Sequence, residues 1–256
     1  MTKLLAVISP AKSLNDQVYY PKLICTQPVF LEEAQQLVSK LAEVSSAKLA
    51  EMMDLSTALA DLNKKRYQEW HLPFTHKNAH PAILMFKGEV YRGLKAEELS
   101  SNQLDFAQNH LRIISGLYGI LKPLDLVMPY RLMMGTPFTP DTKNKNLYSF
   151  WKEKITSQLN SEIDSKGVLV NLASEEYFKS IEIKSLNCKV IHCEFKERKG
   201  DKISIIGTYA KLARGMMARY IIENKIIKIS DIKAFDAQGY LYRSELSTDD
   251  KLVFLR

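Results

Sequence analysis

The sequence contains few of the residues that build metal centres and disulfide frameworks. Only three cysteines and five histidines occur among its 256 residues. Cys25, Cys188 and Cys193 are an odd number without metal-ligand spacing, which predicts reduced thiols in a reducing compartment. His192 and Cys193 are neighbours in a predicted strand, where successive side chains face opposite ways and cannot easily share an ion. We therefore expect no structural metal and no cofactor.

A long apolar run and a phosphate-binding loop are also missing from the sequence. The N-terminal apolar run, residues 4–8, is too short for a signal peptide or a membrane-spanning helix, so we expect a cytoplasmic protein without a membrane partner. Residues 87–93, KGEVYRG, place two glycines around charged side chains, but the Walker spacing and its Lys-Ser/Thr ending are absent. No linker, repeat or low-complexity run interrupts the sequence, which predicts one domain over residues 1–256.

The charges of the chain are not balanced. A total of 36 lysines and arginines against 29 aspartates and glutamates gives a net charge of +7, and the isoelectric point is about 9.1. This excess favours a polyanionic partner, nucleic acid above all. Charge alone is not specific, because many basic proteins bind no nucleic acid.

Short apolar runs alternate with amphipathic segments along most of the chain. The runs predict strands, at residues 3–8, 81–86, 111–115, 167–172, 188–195, 202–207 and 251–255. Apolar residues that recur every three or four positions predict helices, at residues 30–44, 45–53, 101–110, 146–160 and 209–225 and in a segment that ends near residue 70. This alternation predicts the α/β class, with a mixed sheet flanked by helices.

The stretch at residues 111–135, LRIISGLYGILKPLDLVMPYRLMMG, is apolar but irregular. Pro123 and Pro129 lack the N–H that a continuing helix needs, yet large apolar residues surround them. We therefore expect this segment to be buried against other elements. Its polar side chains would then lie in or near a cleft: Tyr118, Asp125, Tyr130 and Arg131. The alternative is a long connection whose polar tips face water.

Five motifs resemble, in the same order, those of the YaaA family of bacterial peroxide-stress-resistance proteins. They are ISPAKSL, FKGEVYRGL, SGLYGILKPLDLVMPYRLMMG, NLASEEYFKS and YAKLARGMMARYIIENK, and together they span nearly the whole chain. The resemblance implies a cytoplasmic protein that binds double-stranded DNA and is linked to oxidative stress and DNA repair. It also implies a compact α/β fold with a basic cleft and a helix-hairpin-helix element.

Residues 45–70 predict two helices joined by a tight break, DLS, where helix-hairpin-helix motifs have a Gly-apolar-Gly hairpin. In such motifs, backbone N–H groups at the start of the second helix bind a phosphate. Ser56, Lys64 and Lys65 would then contact DNA. Asp54 departs from the motif, because it brings negative charge to that point. The alternative is an ordinary pair of helices packed through their own apolar side chains.

A basic helix is predicted at residues 209–225, with apolar side chains along one side. Lys211, Arg214 and Arg219 fan across the opposite side, around Gly215. The missing side chain would permit close approach of a backbone or a phosphate, and a mid-helix glycine otherwise costs about 1 kcal/mol relative to alanine. We predict that these three cations contact phosphate. The alternative is a solvated helix face.

Four lysines follow predicted strand ends, where ligands collect in open α/β sheets: Lys12, Lys87, Lys179 and Lys211. If these ends share one side of a sheet, the lysines converge, so Lys12 and Lys179 are further candidates for DNA contact. A basic hairpin turn is also predicted at residues 197–201. The charged tip of such a turn more often simply faces solvent.

Polar side chains near the predicted strand ends favour a second hypothesis, an enzyme that acts on a nucleotide or a DNA base. They are Ser9, Tyr118, Tyr130, Arg131, Asn171, Glu176 and Tyr177. Tyr118, Arg131 and Glu176 are the catalytic candidates, although no nucleophile–base spacing or cofactor fingerprint accompanies them. Ser174 is expected to cap the helix that follows, which gives Glu175 and Glu176 a structural explanation at its positive end.

The leading hypothesis is a DNA-binding protein of the peroxide response with little sequence preference, and more a binding protein than an enzyme. Basic side chains neutralise phosphates, and nothing in the sequence resembles a base-reading helix. Iron handling is a third hypothesis, suggested only by the association with stress. The few histidines and the lack of a ligand cluster argue against it.

Overall fold

The first apolar run of the sequence forms an inner strand of the main sheet, between β5 and β8. The computed structural model describes residues 3–15, 18, 20 and 23–256. Its strands are β1 (Leu4–Ile8), β2 (Ser13–Leu14), β3 (His80–Pro81), β4 (Phe86–Lys87), β5 (Leu111–Ser115), β6 (Gly119–Leu121), β7 (Leu126–Val127), β8 (Val168–Asn171), β9 (Lys189–Lys199), β10 (Lys202–Ser204), β11 (Leu241–Tyr242) and β12 (Lys251–Leu255). Its α-helices are α1 (Leu31–Glu43), α2 (Ser46–Met53), α3 (Thr57–Glu69), α4 (Ala82–Met85), α5 (Glu89–Leu94), α6 (Ser101–His110), α7 (Leu147–Glu162), α8 (Glu175–Phe178), α9 (Gly207–Glu223) and α10 (Ile229–Ile232).

Eight strands form the main sheet, in the order β11-β12-β9-β8-β1-β5-β6, with β10 paired to β9 off this path. The five inner strands are parallel, whereas β6, β10 and β11 pair antiparallel with their neighbours. Val7 of β1 lies opposite Asn171 of β8, and Ile8 lies opposite Ile113 of β5. The predicted α/β fold with a mixed sheet is thus confirmed. Its parallel strands bring the ends of β1, β5 and β8 to one edge.

The core lies around β1. Each residue of this strand is at most 1% exposed, as expected for a parallel strand covered on both faces. Helices α6 and α9 contact β1, and α7 contacts β6. The irregular stretch that begins at β5 is buried as predicted, with Leu117 and Tyr118 fully enclosed.

Two helices begin where the sequence supplies caps. The Ser100 side chain accepts a hydrogen bond from the Gln103 N–H, and the Gln103 side chain accepts one from the Ser100 N–H, which together form a capping box at α6. Asn146 accepts a hydrogen bond from the Ser149 N–H at 2.9 Å at the start of α7. The predicted helices at residues 30–44, 101–110, 146–160 and 209–225 are confirmed as α1, α6, α7 and α9, within three residues at each end.

The strand predicted at residues 81–86 is wrong, because Ala82–Met85 forms the short helix α4. The Ala82 N–H donates to the Asp125 carbonyl oxygen at 2.9 Å, and the Ile83 N–H donates to the Pro123 carbonyl oxygen at 2.9 Å. The buried loop at residues 123–125 therefore takes the hydrogen bonds that a sheet neighbour would have made. A short apolar run fits a buried helix as well as a strand, so its periodicity could not decide between them.

Candidate nucleic-acid interface

Polar groups meet where β1 and β8 end side by side. The Ser174 N–H donates to Ser9 Oγ at 2.8 Å, and the Ser9 hydroxyl donates to Ser174 Oγ at 3.2 Å. Asn171 Oδ1 accepts a hydrogen bond from the Ala173 N–H at 2.9 Å. These bonds tie the loop after β8 to the end of β1. Ser174 is the N-cap residue of α8, as predicted, but its side chain makes no cap hydrogen bond and is bonded to Ser9 instead.

Buried tyrosines form hydrogen bonds at and near this edge of the sheet. The Tyr91 hydroxyl donates to the Ser9 carbonyl oxygen at 3.2 Å. Tyr130 and Ser115 share a hydrogen bond of 2.7 Å between their hydroxyls. Burial raises the pKa of Tyr91, Tyr130 and Tyr177 above the usual range. These hydroxyls therefore stay protonated at neutral pH and serve as hydrogen-bond partners that fix the edge.

The three catalytic candidates make different hydrogen-bond contacts. Tyr118 is 0% exposed, and its oxygen accepts hydrogen bonds from Trp70 Nε1 at 3.0 Å and from the Met128 N–H at 3.2 Å. Glu176 Oε1 accepts one from the Gly135 N–H at 3.0 Å. The Nε of Arg131 is buried and has no hydrogen-bond partner among the described residues. Tyr118 is thus a core residue rather than a group exposed in a cleft.

Two of the cavities in the surface are each lined by equal numbers of basic and acidic side chains among the described residues. One, of about 850 Å³, lies beside the end of β8 and contains four basic and four acidic side chains. These are Lys179, Lys184, Arg214 and Lys251, and Glu175, Glu182, Glu194 and Asp250. The other, of about 810 Å³, contains Lys87 and Arg92 with Glu89 and Glu97. Neither cavity lining includes Tyr118, Arg131 or Glu176.

The first of these cavities brings together polar groups of three elements. Asn171 Nδ2 of β8 lies 3.0 Å from His192 Nδ1 of β9. Arg214 of α9 is half-buried and also lines the cavity. Burial lowers the pKa of its guanidinium, whereas nearby Cys193 and Glu194 raise it. Lys179 forms an ion pair with Glu175 at 2.8 Å.

A short antiparallel ladder brings two exposed lysines to one place. Ser13 of β2 lies opposite Lys87 of β4, so Lys12 and Lys87 belong to adjacent positions of the same ribbon. Both side chains are exposed, and neither forms an ion pair with another described residue. Of the four lysines expected to converge, these two lie on the same ribbon. Lys211 is exposed on α9.

The predicted basic side of α9 is divided among three environments. Lys211 is exposed, Arg214 faces the cavity, and Arg219 is held by ion pairs with Glu98 at 3.1 Å and Glu223 at 2.8 Å. Arg219 also donates to the Lys95 carbonyl oxygen at 3.0 Å. Lys211 is consequently the cation of this helix that is best placed to meet a phosphate.

The helical pair α2–α3 is confirmed, while its role in binding DNA stays a prediction. Asp54 adopts a left-handed conformation, with φ of 50°, between the two helices. The Ser56 side chain accepts a hydrogen bond from the Leu59 N–H at 3.4 Å. Lys64 donates to the Val44 carbonyl oxygen at 2.7 Å and to that of Ala42, so it caps the end of α1. Lys65 is exposed, 3.6 Å from Glu69.

The hairpin predicted around residues 197–201 is confirmed, but the sequence reasoning missed the exposed apolar residues that follow it; the exposed segment at residues 198–209 is here called the arm. It comprises the end of β9, a turn at Gly200 and Asp201, β10 and the first residues of α9, and every one of its residues is exposed. Lys199 lies opposite Lys202. The available signal was the apolar run that follows the basic turn, KISII, because a merely solvated hairpin does not need isoleucines.

A sequence model described as "Peroxide stress protein YaaA" matches residues 4–246. The chain belongs to this family. Membership supports a part in the response to peroxide and oxidative stress, as the sequence motifs implied.

The cysteines of this YaaA family member are held in their protonated form. Burial raises the pKa of Cys25 to about 11 and that of Cys193 to about 12, and it also raises the pKa of Cys188. Peroxide oxidises thiolates rather than thiols, so these side chains are poorly suited to react with it. Among the described residues, no group of three or more His, Cys, Asp and Glu side chains could hold a metal ion. No helix there is long and apolar enough to cross a membrane.

Proposed function

We propose that this protein binds duplex DNA with little sequence preference during the response to hydrogen peroxide and so supports DNA protection or repair. One observation carries the proposal: several lysines are exposed and form no ion pair with a described residue. The net charge of +7 adds a general attraction for a polyanion. Cations in that position neutralise phosphates of a duplex that rests on the surface.

Three of these lysines are Lys12 and Lys87 on the β2–β4 ladder and Lys211 on α9. None of them forms an ion pair with a described residue, so binding a phosphate would break no existing contact. The first turn of α3 adds a further possible contact, because the first N–H groups of a helix lack partners within it and attract anions.

Low sequence preference follows from how the basic helix is held. Reading bases requires that a helix or ribbon enter a groove and present side chains to base edges. Helix α9 packs against α5 through Gly215, which lies among its basic residues. That side of α9 is consequently unable to enter the major groove, and Lys211 can reach only the DNA backbone.

Fluorescence anisotropy with unrelated duplexes of equal length, over a range of salt concentrations, tests the proposal. Alanine at Lys12, Lys87 and Lys211 together should reduce the slope of log affinity against log salt by about 3, since each phosphate contact contributes about 1. The loss should be similar for every sequence.

The matched control replaces three lysines that already form ion pairs, which removes the same net charge. These are Lys48 with Glu51, Lys152 with Glu182 and Lys154 with Glu33. This control should change the slope of log affinity against log salt by no more than about 1, the contribution of a single phosphate contact. Absence of binding at low salt, or affinities that differ a hundredfold between sequences, would contradict the proposed function.

A further inference from the structure

The arm exposes apolar side chains together with cations. Four large apolar residues within it are open to solvent: Ile203 (37%), Ile205 (53%), Ile206 (42%) and Tyr209 (45%). They follow one another along β10 and the start of α9, whereas isolated exposed apolar residues are normal on any surface. A cluster of this kind marks an interaction site.

The cations of the arm are placed against one another. Lys199 and Lys202 are directly opposite across the hairpin, an arrangement in which like charges destabilise a ribbon. Arg198 lies opposite Ile203 on the next pair. None of the three cations forms an ion pair with a described residue. An anionic partner would remove this repulsion.

The base of the arm is fixed to the rest of the protein. The Arg198 N–H donates to the Arg256 carbonyl oxygen at 2.8 Å, and Arg256 Nε donates to Glu197 Oε2 at 2.8 Å. The Arg256 guanidinium also lies over the ring of Tyr209, at 4.8 Å. Glu197 is thus paired with Arg256. Its carboxylate is therefore not available to neutralise the cations at the tip of the arm.

Resting on the proposed DNA binding, we infer that the arm is a DNA-contacting ribbon that enters a groove of the duplex. The major groove admits a two-stranded β-ribbon, and apolar side chains there contact thymine methyl groups. Lys199 and Lys202 at the tip bind phosphates on the two sides of the groove, while Ile203 contacts the bases. Such contacts anchor the protein but distinguish sequences only weakly.

The charges of the arm favour duplex DNA, rather than a second copy of this chain, as the partner that binds it. Antiparallel pairing of two β10 edges would place both copies of Arg198, Lys199 and Lys202 in one four-stranded ribbon, with only the two Asp201 carboxylates at the turns. Six cations in that small area repel one another, whereas the phosphates of a duplex neutralise them.

Two arm variants test the inference. Their affinity for 20-base-pair duplexes is measured by fluorescence anisotropy. Replacing Lys199 and Lys202 with alanine should reduce the salt slope by about 2. Ile203→Asn should weaken binding about fivefold at an unchanged salt slope, because it removes an apolar contact and no charge. Leu241→Asn is the matched control, since Leu241 is an apolar residue of comparable exposure, 48%, on the edge strand β11, and it should leave the affinity unchanged.

The outcomes separate the arm from the general proposal. If the parent protein does not bind duplex DNA, the proposed function fails and the arm inference fails with it. If the parent binds but both arm variants bind as it does, only the arm inference fails. If sedimentation shows a dimer that Ile203→Asn converts to a monomer, the arm is a self-association edge and the inference is overturned.

Discussion

Gly215 of α9 and Val90 of α5 touch through their backbones. A Cβ added at Gly215 would lie 1.8 Å from the Val90 carbonyl oxygen. The contact is reciprocal, because a Cβ at Gly93 of α5 would lie 2.2 Å from the Leu212 carbonyl oxygen of α9. Of the two partners considered from the sequence for Gly215, a backbone or a phosphate, the backbone occupies the site.

Gly215→Ala should therefore destabilise the protein. Alanine gains about 1 kcal/mol in helix propensity, but overpacking a core costs about 1–3 kcal/mol and more when backbone must move. We expect the free energy of unfolding in urea to fall by about 2 kcal/mol or more. Gly207→Ala is the control, since nothing lies within 4 Å of a Cβ at Gly207 of the same helix. Equal stability of the two variants would show that the helices can separate without cost.

The carboxyl of Asp125 should make stability fall as pH rises through mildly acidic values. Burial raises its pKa to about 6, although hydrogen bonds from Thr26 Oγ1 at 2.5 Å and the Lys122 N–H at 2.7 Å favour the charged form. The folded state therefore holds this proton more tightly than the unfolded state, whose carboxyl has a pKa near 3.9. The protonated group contributes its full stability below about pH 4, and that contribution is lost as the pH rises through about 6.

Urea unfolding from pH 4 to pH 7 measures this dependence. A pKa difference of about two units corresponds to about 3 kcal/mol, so the parent protein should lose up to that amount relative to Asp125→Asn over the range. The quantity compared is the change in the free energy of unfolding with pH, not its absolute value. Asparagine also alters the hydrogen bonds with Thr26 and Lys122, which shifts the stability of the variant at every pH. Parallel pH profiles for the two proteins would mean that Asp125 is already charged when the protein is folded at pH 4.

The thiols should react slowly. A pKa of about 11 for half-buried Cys25 leaves about a hundredfold less thiolate near neutral pH than a free cysteine has. Modification by a disulfide reagent at pH 8 should accordingly be slower by about that factor than modification of the urea-unfolded protein. Rapid modification of one cysteine in the folded protein would instead point to thiol chemistry with peroxide.

The sequence predicted those parts of the molecule that depend on local pattern. The apolar run at Leu4–Ile8 and the capped helix at Ser101–His110 are fixed by residues next to them in the chain, and both are confirmed. The bond between Ser9 and Ser174 joins residues 165 positions apart, so it depends on which strands become neighbours. The contact at Gly215 and the exposure of the arm likewise depend on which other segments pack against these residues. The periodicity of the sequence carries no information about that packing.

Lys64 and its neighbour Lys65 offer the last test, because both were candidates for binding DNA through the α2–α3 hairpin. The Lys64 ammonium caps α1 by donating to the carbonyl oxygens of Ala42 and Val44, and hydrogen bonds to a charged group contribute about 1.5–3 kcal/mol. Lys64→Ala should lower the free energy of unfolding by about that amount while leaving the salt slope of DNA binding unchanged. Lys65→Ala, at an exposed position 3.6 Å from Glu69, should change stability by no more than about 0.5 kcal/mol. Should Lys64→Ala reduce the salt slope and leave stability intact, the hairpin rather than the surface around Lys12, Lys87 and Lys211 would be the DNA site.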